Sequence, residues 1–455
     1  MSSKKPRIGT NNVSETYKKM TQIEHILALP DTYIGSVEMS EIDLWVYDIE
    51  TKTMIRKKIN IVPGFYKIFD EIIVNAYDQH ARVKEDKHAK PVKEIHVDIN
   101  PETNEISVYN DGEGIDIEIH PEHNIYVPSL IFGELLTSAN YDKKNKTTGG
   151  KNGYGAKLTN IYSKKFTIET VDTSRNRYFK QVFENNMSIK HKPIIEEKYT
   201  KKAFTKITFE PDLDRFNMKT IDNDILSLLY KRVYDMTACT DKNVTVYLNK
   251  HKLEYKAFEK YVNLYIGEKS ATKRVYDELS DRWEIVACLS PDDKFEHVSF
   301  VNGIYTYKGG KHVEHLSQII STKLAKHVEK KNTKKKINLK PSLIKDNLWI
   351  FVRSIIEDPS FESQTKDYLT TPPPKFGSKF TINDKFIEKL SKIGIVEKAI
   401  ALSEYKDNFS LKKSDGKKRQ MLKGIPKLDD ANWAGGLKST QCTLILTEGD
   451  SAKTF

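Results

Sequence analysis

Apolar side chains along the chain keep two rhythms, one of about 3.6 residues and one of about two, and each marks a different element. After Pro63-Gly64, residues Phe65, Ile68, Phe69, Ile72, Ile73, Ala76 and Tyr77 recur at helical spacing and predict a helix with one buried stripe. At about 100° per residue, the same helix turns Glu71, Asn75 and Asp78 onto a common face opposite that stripe. Ile95, Val97 and Ile99 then alternate with polar residues, 100–104 carry turn chemistry, and Ile106 and Val108 resume the alternation. This predicts a hairpin that ends at Asp111-Gly112-Glu113-Gly114. A second glycine-rich segment, 148–157, leads into an apolar stretch at 158–162 that reads as a helix start, followed by strand-like runs at 166–171 and 204–209.

The character changes after about Glu254. Strands are predicted near 284–289 and 298–302, then a helix in which Val313, Leu316, Ile319, Ile320, Leu324 and Val328 keep the helical period. These belong to a second α/β domain. Its helix runs out into a basic cluster of Lys330, Lys331, Lys334, Lys335 and Lys336. Residues 410–440 are polar and rich in Gly and Lys, as a linker would be, and Cys442-Thr-Leu-Ile-Leu446 reads as the start of a new buried strand.

Length and composition agree with several soluble domains. The chain has 455 residues, 38% apolar and 30% charged, too many for one ordinary core. Its formal charge of +11 favours a polyanionic partner, although a merely Lys-rich soluble protein fits equally well until the charge is located. Cys239, Cys288 and Cys442 are far apart and lack zinc or disulfide spacing, which implies a reducing compartment. The N-terminus carries no apolar stretch and no run approaches the length of a membrane span, so an intracellular, unsecreted protein is expected.

Candidate chemistry sharpens this picture. Hydrolysis of a phosphoanhydride needs a group that deprotonates water and a divalent cation on the phosphate oxygens. Glu71 and Asn75, one helical turn apart, supply a carboxylate and an amide for those tasks. Taken alone, that helix face would be ordinary solvated surface. Glycines at 112, 114, 149, 150, 153 and 155 would admit the close approach of backbone N–H groups that polyphosphate requires, and Lys157 adds a charge at a helix start. Lys157 follows Ala156 and precedes Leu158, so neither a Walker A loop nor a Rossmann fingerprint is present.

In their order, Glu71-Ile-Ile-Val-Asn75-Ala, Asn110-Asp-Gly-Glu-Gly114 and 148–157 resemble the N box, adenine-side loop and phosphate loop of the GHKL ATPases: gyrase, histidine kinases, mismatch-repair clamps and a heat-shock chaperone. Within them, Thr21-Gln-Ile-Glu-His-Ile, Pro30-Asp-Thr-Tyr-Ile-Gly-Ser36, Leu136-Thr-Ser-Ala-Asn-Tyr141 and the phosphate loop are similar to the N-terminal ATPase region of eukaryotic-type (type IIA) DNA topoisomerases II. The resemblance implies an α/β (α+β) fold: an N-terminal strap at 1–20, a GHKL-type ATPase sandwich at 21–255, an α/β transducer at 256–409, a linker at 410–440 and the first strand of a Toprim domain at 441–455.

It also implies roles. Glu71 is the general base, Asn75 the Mg²⁺ ligand and Asn110 the residue that meets adenine. Ser138, Ala139 and Asn140 fall in the motif for ribose and phosphate, with Ala139 standing where the family often has Ser. Gly150, Lys151, Asn152, Gly153, Tyr154, Gly155, Ala156 and Lys157 wrap the triphosphate of ATP. Gln364, Thr365 and Lys366 form the transducer loop whose lysine reaches the γ-phosphate, an expectation that composition alone would never raise. Such a lysine discriminates ATP from ADP and so can bias two conformations. Tyr17 matches a strap residue that reaches the partner subunit's nucleotide, implying a homodimer closed by ATP.

The resemblance further implies duplex DNA as a partner, with the five lysines at 330–336 meeting phosphates without base preference, and Glu448 as a cleavage-metal ligand of an incomplete Toprim site. Cleavage itself would need the remainder of a topoisomerase chain. The expected site of action is the nucleus or a viral replication site, since the lysine-rich composition suits an AT-rich genome such as that of a large DNA virus. An ATP-gated DNA clamp or scaffold without topoisomerase activity is the alternative; intact Glu71, Asn75, Lys157 and Lys366 favour the enzyme.

Overall fold

A computed structural model describes residues 19–85, 89–137, 146–150, 153–331, 339–403, 431, 433–434 and 438–446. The chain divides into two compact units, Met1–Val396 and Glu397–Phe455. All the elements that shape the candidate site lie in the first.

That unit opens with a short helix, Gln22–Ala28, closed by a capping box in which Thr21 and Glu24 satisfy each other's backbone N–H. A hairpin follows, β1 (Ser40–Asp48) with β2 (Thr53–Ile61), and then the long helix α1, Pro63–Glu85. Strands β3 (Glu94–Asn100) and β4 (Glu105–Asn110) form the expected second hairpin. A short helix, α2, spans Gly155–Ile161, starting three residues before the apolar run at 158–162 that announced it. Next come β5 (Ser163–Asp172), β6 (Arg177–Glu184), β7 (Ile189–Lys190), β8 (Ile194–Glu197) and β9 (Thr205–Pro211). Helix α3, Asn223–Cys239, is capped by the Asp222 side chain and precedes β10 (Thr245–Leu248) and β11 (His251–Lys252).

These strands make a nine-stranded sheet ordered β11-β10-β3-β4-β9-β5-β6-β7, with β8 also on β6; only β10 and β3 run parallel. The β3 side chains alternate between buried and accessible, as the period-two pattern requires. Helix α1 packs on this sheet near β4 and on α2 and α3, while α3 packs against the β1–β2 hairpin. Fully burying each Ile or Phe of the α1 stripe contributes about 1.5–3 kcal/mol.

A second sheet begins after helix Phe258–Ile266. It is built from β12 (Arg274–Ser280), β13 (Trp283–Leu289), β14 (Glu296–Val301), β15 (Ile304–Tyr305) and, after a lone two-residue strand β16 (Gly309–Gly310), β17 (Leu348–Ser354), in the order β12-β13-β17-β14-β15. The centre is β17, parallel to β14 and antiparallel to β13, and its run Leu-Trp-Ile-Phe-Val is buried throughout. Helix α4, Lys311–Lys331, buries Val313, Leu316, Ile320, Leu324 and Val328. Its last residues, Lys330 and Lys331, are exposed. A final short strand, β18 (Tyr368–Leu369), pairs with β16.

One expectation fails. Residues 442–446 form no strand, and Leu444, Ile445 and Leu446 are 74%, 76% and 86% exposed. An apolar run becomes a buried strand only when a neighbouring strand accepts its backbone hydrogen bonds, and none among the described residues pairs with it.

Candidate nucleotide site

The face of α1 that periodicity marked as polar is not solvated. Glu71 and Asp78 are each 4% exposed, and Asn75 between them is half-buried. Buried carboxylates persist only when paired or hydrogen-bonded, and each of these is. Glu71 Oε1 pairs with Lys67 Nζ at 2.5 Å, one turn earlier on the helix, and with Lys366 Nζ at 3.1 Å, from a loop 295 positions further along the chain. Asp78 accepts the backbone N–H of Gly149 at 2.7 Å and of Gly150 at 2.8 Å.

Electrostatics follow from this crowding. Burial pushes the Glu71 carboxyl up, but Lys366 and then Lys67 outweigh it and bring the pKa down to about 2. Lys366 is buried too, and Glu71 beside it more than offsets that cost, so its pKa is raised. Lys67 is pulled the other way, since burial and the nearby Lys366 charge exceed the help from Glu71. Two ammonium groups thus share one carboxylate, and Lys67 is the one held less firmly in its charged form. Burial raises Asp78 to about 6 despite its two amide donors.

Glycine lets the loop that precedes α2 come this close. A Cβ on Gly155 would lie 2.0 Å from Glu71 Oε2, and one on Gly149 would meet Val74 Cγ1 at 2.7 Å and Asn302 O at 3.0 Å. Gly149 is therefore a meeting point: its N–H goes to Asp78, its carbonyl accepts Lys366 Nζ at 3.3 Å, and its Cα faces the β14–β15 turn. Lys157, 2% exposed on α2, donates to the carbonyls of Thr137 and Gly153 at 2.9 and 2.7 Å, and burial lowers its pKa to about 8. Tyr154 is the N-cap of α2 and Ala156 lies in its first turn.

On the far side of the sheet's first hairpin, Asn110 ends β4 at 5% exposure, and its Nδ2 has no hydrogen-bond partner among the described residues. Asp111 accepts the amides of Lys93 and Glu94 at 2.7 and 2.9 Å and so fixes the turn. Asn110, Thr205 and Thr170 are directly opposite one another across β4, β9 and β5, so their side chains share one face.

Of the residues expected in the site, Glu71, Gly155 and Lys366 converge directly, with Asn75 one turn from Glu71 on α1 and Gly150 held by Asp78 one turn further. Gly153 and Lys157 meet on the same loop and helix, and Asn110 is separate, at the end of the internal strand β4. Gln364 and Thr365 are half-buried, and Thr365 Cγ2 lies 3.0 Å from where a Cβ on Gly35 would be. Tyr17, Ser138, Ala139, Asn140, Lys151, Asn152, Lys334, Lys335, Lys336 and Glu448 lie outside the described residues. Sequence reasoning missed Lys67, whose i−4 spacing from Glu71 was the available signal. Asp78 was seen on the right face but given no task, and Thr170 carried no signal.

A helix bearing Glu71 and Asn75, glycine bends around it and a lysine delivered from the loop before β18 define a GHKL-type ATPase. Residues 61–214 match the family model described as histidine kinase-, DNA gyrase B- and HSP90-like ATPase, and residues 244–415 match DNA gyrase B. DNA topoisomerase 2 of Pisum sativum is 47% identical over 98% of this chain, and that of Drosophila melanogaster 46% over 98%; the chain spans about 30% of the length of each. The ATPase region of Saccharomyces cerevisiae topoisomerase II superposes with a TM-score of 0.79 at 44% identity, covering 86% of this chain and 100% of that one. The ATPase and transducer domains of the Balamuthia mandrillaris enzyme give 0.79 at 41%, covering 87% and 99%. The chain belongs to the type II DNA topoisomerase family and corresponds to its N-terminal ATPase region.

Proposed function

We propose that this chain is the ATP-hydrolysing gate of a DNA topoisomerase II, closing as a homodimer on ATP to capture a duplex for strand passage carried out with the rest of such a chain. The observation that carries this reading is the bond between Lys366 and Glu71, which puts a transducer cation on the carboxylate best placed to activate water. In this reading 21–255 is the ATPase domain and 256–409 the transducer, with Tyr17 of the strap reaching across the dimer. Asn110 reads adenine; Ser138, Ala139 and Asn140 meet ribose and phosphate; the loop at 150–157 cradles the triphosphate.

Mg²⁺ fits the residues present. It keeps most of its waters and needs few protein oxygens, and the half-buried Asn75 amide beside Glu71 is a suitable single ligand. Bound there, the ion would neutralise charge developing on the phosphates. Glu71 orients and deprotonates the attacking water, the Gly150 and Gly155 region excludes bulk solvent, and Lys366 exchanges Glu71 for the γ-phosphate. That exchange removes one of the two cations now depressing the carboxylate and makes Glu71 a better base when substrate arrives.

The test is ATP turnover with Mg²⁺, with and without duplex DNA. DNA should stimulate turnover, and alanine at Lys330, Lys331, Lys334, Lys335 and Lys336 should bring the stimulated-to-basal ratio toward one, since counterion release from phosphates scales with the lysines involved. Equal loss at both settings would remove the DNA role from that cluster. No turnover in any condition would leave the alternative of a non-hydrolysing clamp.

Lys157 gives a pH signature. Its pKa of about 8 means that it is charged below pH 8 and loses the proton above it. An anionic nucleotide binds the charged form, so affinity should be flat up to that point and then fall by up to about tenfold per pH unit. Titrating a non-hydrolysable ATP analogue at pH 7 and pH 9 measures this, with Lys157→Met as the variant in which the slope should vanish. A flat wild-type profile would contradict the assignment.

A further inference from the structure

Lys366 is not the only link between the chain after β12 and α1. We infer that Arg232 is a positioning residue for hydrolysis: it fixes the Glu71-bearing helix to the Asn302–Gly303 turn, the floor against which the phosphate loop rests. The inference rests on the ATPase reading above.

Arg232, on α3, is fully buried. Its Nε donates to Asp70 Oδ1 at 2.5 Å, and its Nη2 donates to the carbonyl of Gly303 at 2.7 Å. Asp70 immediately precedes Glu71, and Gly303 belongs to the two-residue turn between β14 and β15. One rigid, forked guanidinium therefore joins the neighbour of the proposed base to the second sheet. Burial opposes the Arg232 charge, but Asp70 more than compensates and raises its pKa, so the cation is permanent. Its Nη1 finds no partner among the described residues, so the two bonds from Nε and Nη2 are what hold the side chain.

The turn it holds is itself fixed. Asn302 and Gly303 have φ of 49° and 75°, as a tight two-residue hairpin turn requires. The Asn302 side chain donates to the Ile356 carbonyl and accepts the Ile356 N–H, both at 2.8 Å. Its own carbonyl lies 3.0 Å from where a Cβ on Gly149 would be, and a Cβ on Gly303 would lie 2.4 Å from the Tyr77 ring of α1. The turn thus touches α1 and the phosphate loop at once.

The two links differ in kind. Lys366 bonds Glu71, and that bond can be traded for a phosphate. Both acceptors of Arg232, Asp70 and Gly303, lie outside the 148–157 and 364–366 segments, so this link need not break when a phosphate replaces Glu71 on Lys366. Loosening it should misplace Glu71 relative to the bound phosphate. Nucleotide affinity should survive, because Asp78 still holds the amides of Gly149 and Gly150.

The experiment uses the whole 455-residue chain and compares wild type, Arg232→Lys and Asn302→Gly. Lysine keeps the charge on Asp70 but cannot reach both acceptors. Glycine keeps the left-handed turn and both Arg232 bonds while freeing the turn from Ile356. Each variant should lose about tenfold or more in kcat while its affinity for a non-hydrolysable ATP analogue stays within about twofold, the pattern of a lost transition-state interaction. A purely structural role would instead lower thermal stability and leave kcat of the folded fraction unchanged. Wild-type kcat in folded Arg232→Lys, or affinity falling in step with kcat, overturns the inference. If Arg232→Lys does not fold, Asp70→Asn, which removes the charge on the other end of the same link, takes its place: wild-type kcat there overturns the inference and the expected split supports it. Absent turnover in wild type would refute the ATPase reading, a different result from normal turnover in the variants.

Discussion

Glu71→Gln is expected to cut ATP turnover by about 10²–10⁴-fold, the range for loss of a positioned general base, while nucleotide binding persists. Glutamine keeps the shape that fits against Gly155, where a Cβ would come within 2.0 Å of the present carboxylate oxygen. What it removes is the proton acceptor and the charge between two buried lysines. Lys67 and Lys366 would then lose the carboxylate they share, with only Asp70 and Asp78 nearby to oppose their charge, so the nucleotide-free variant should be less stable by about 3 kcal/mol, as when one member of a buried pair is deleted.

A polyphosphate would relieve that repulsion, so ATP analogue should raise the variant's melting temperature more than the wild type's. The pH dependence has a definite sign as well. With its pKa lowered from 4.5 to about 2, Glu71 contributes stability that is complete above about 4.5 and is lost as pH falls toward about 2. That part of acid unfolding should disappear from the variant. Phosphate-release assays, calorimetry with and without analogue, and an acid titration read the three effects. Full turnover in Glu71→Gln would refute its role as base.

Much of this arrangement was readable from residue order, and the unread part has a common cause. The α1 stripe, the β3–β4 hairpin and α4 follow from periodicity because burial of a repeating apolar face is a local property of sequence. Glu71, Asn75 and Asp78 were placed on one face for the same reason. Periodicity nevertheless called that face solvated, because it cannot see that Lys366 and the Gly149–Gly150 amides arrive from distant segments to compensate buried charge. Arg232 was invisible for a related reason. Nothing in Leu-Tyr-Lys-Arg-Val-Tyr on a helix says that one basic residue will be fully buried between Asp70 and a turn carbonyl. The strand expected at 442–446 failed in the opposite sense: its apolar run is real, but strand formation belongs to a pair of segments and no partner is described.

Lys366→Met should lower turnover by about 10²–10³-fold, as when a preorganised donor to a developing anion is removed, and should also erase preference for ATP over ADP. Methionine preserves the stem within a site where Lys366 is 7% exposed, so packing is largely kept and the ammonium group is the variable. The backbone around this residue is held by local bonds. Lys366 has φ of 60°, a left-handed conformation that costs a non-glycine residue about 1–2 kcal/mol. The neighbouring bonds hold it there: its N–H donates to Ser363 O at 3.1 Å, and Asp367 pairs with Lys308 at 2.6 Å.

In the nucleotide-free chain the substitution also relieves Glu71 of the largest charge depressing its pKa, leaving Lys67 as its partner. The carboxylate therefore becomes more basic while turnover falls. That combination separates the two roles of Lys366, since a lysine that merely restrained the base would, once removed, speed hydrolysis. Turnover, together with affinities for ADP and a non-hydrolysable ATP analogue, decides between them. Faster turnover in Lys366→Met would make this contact a brake rather than a γ-phosphate ligand, and unchanged ATP-over-ADP preference would place nucleotide sensing outside the 364–366 loop.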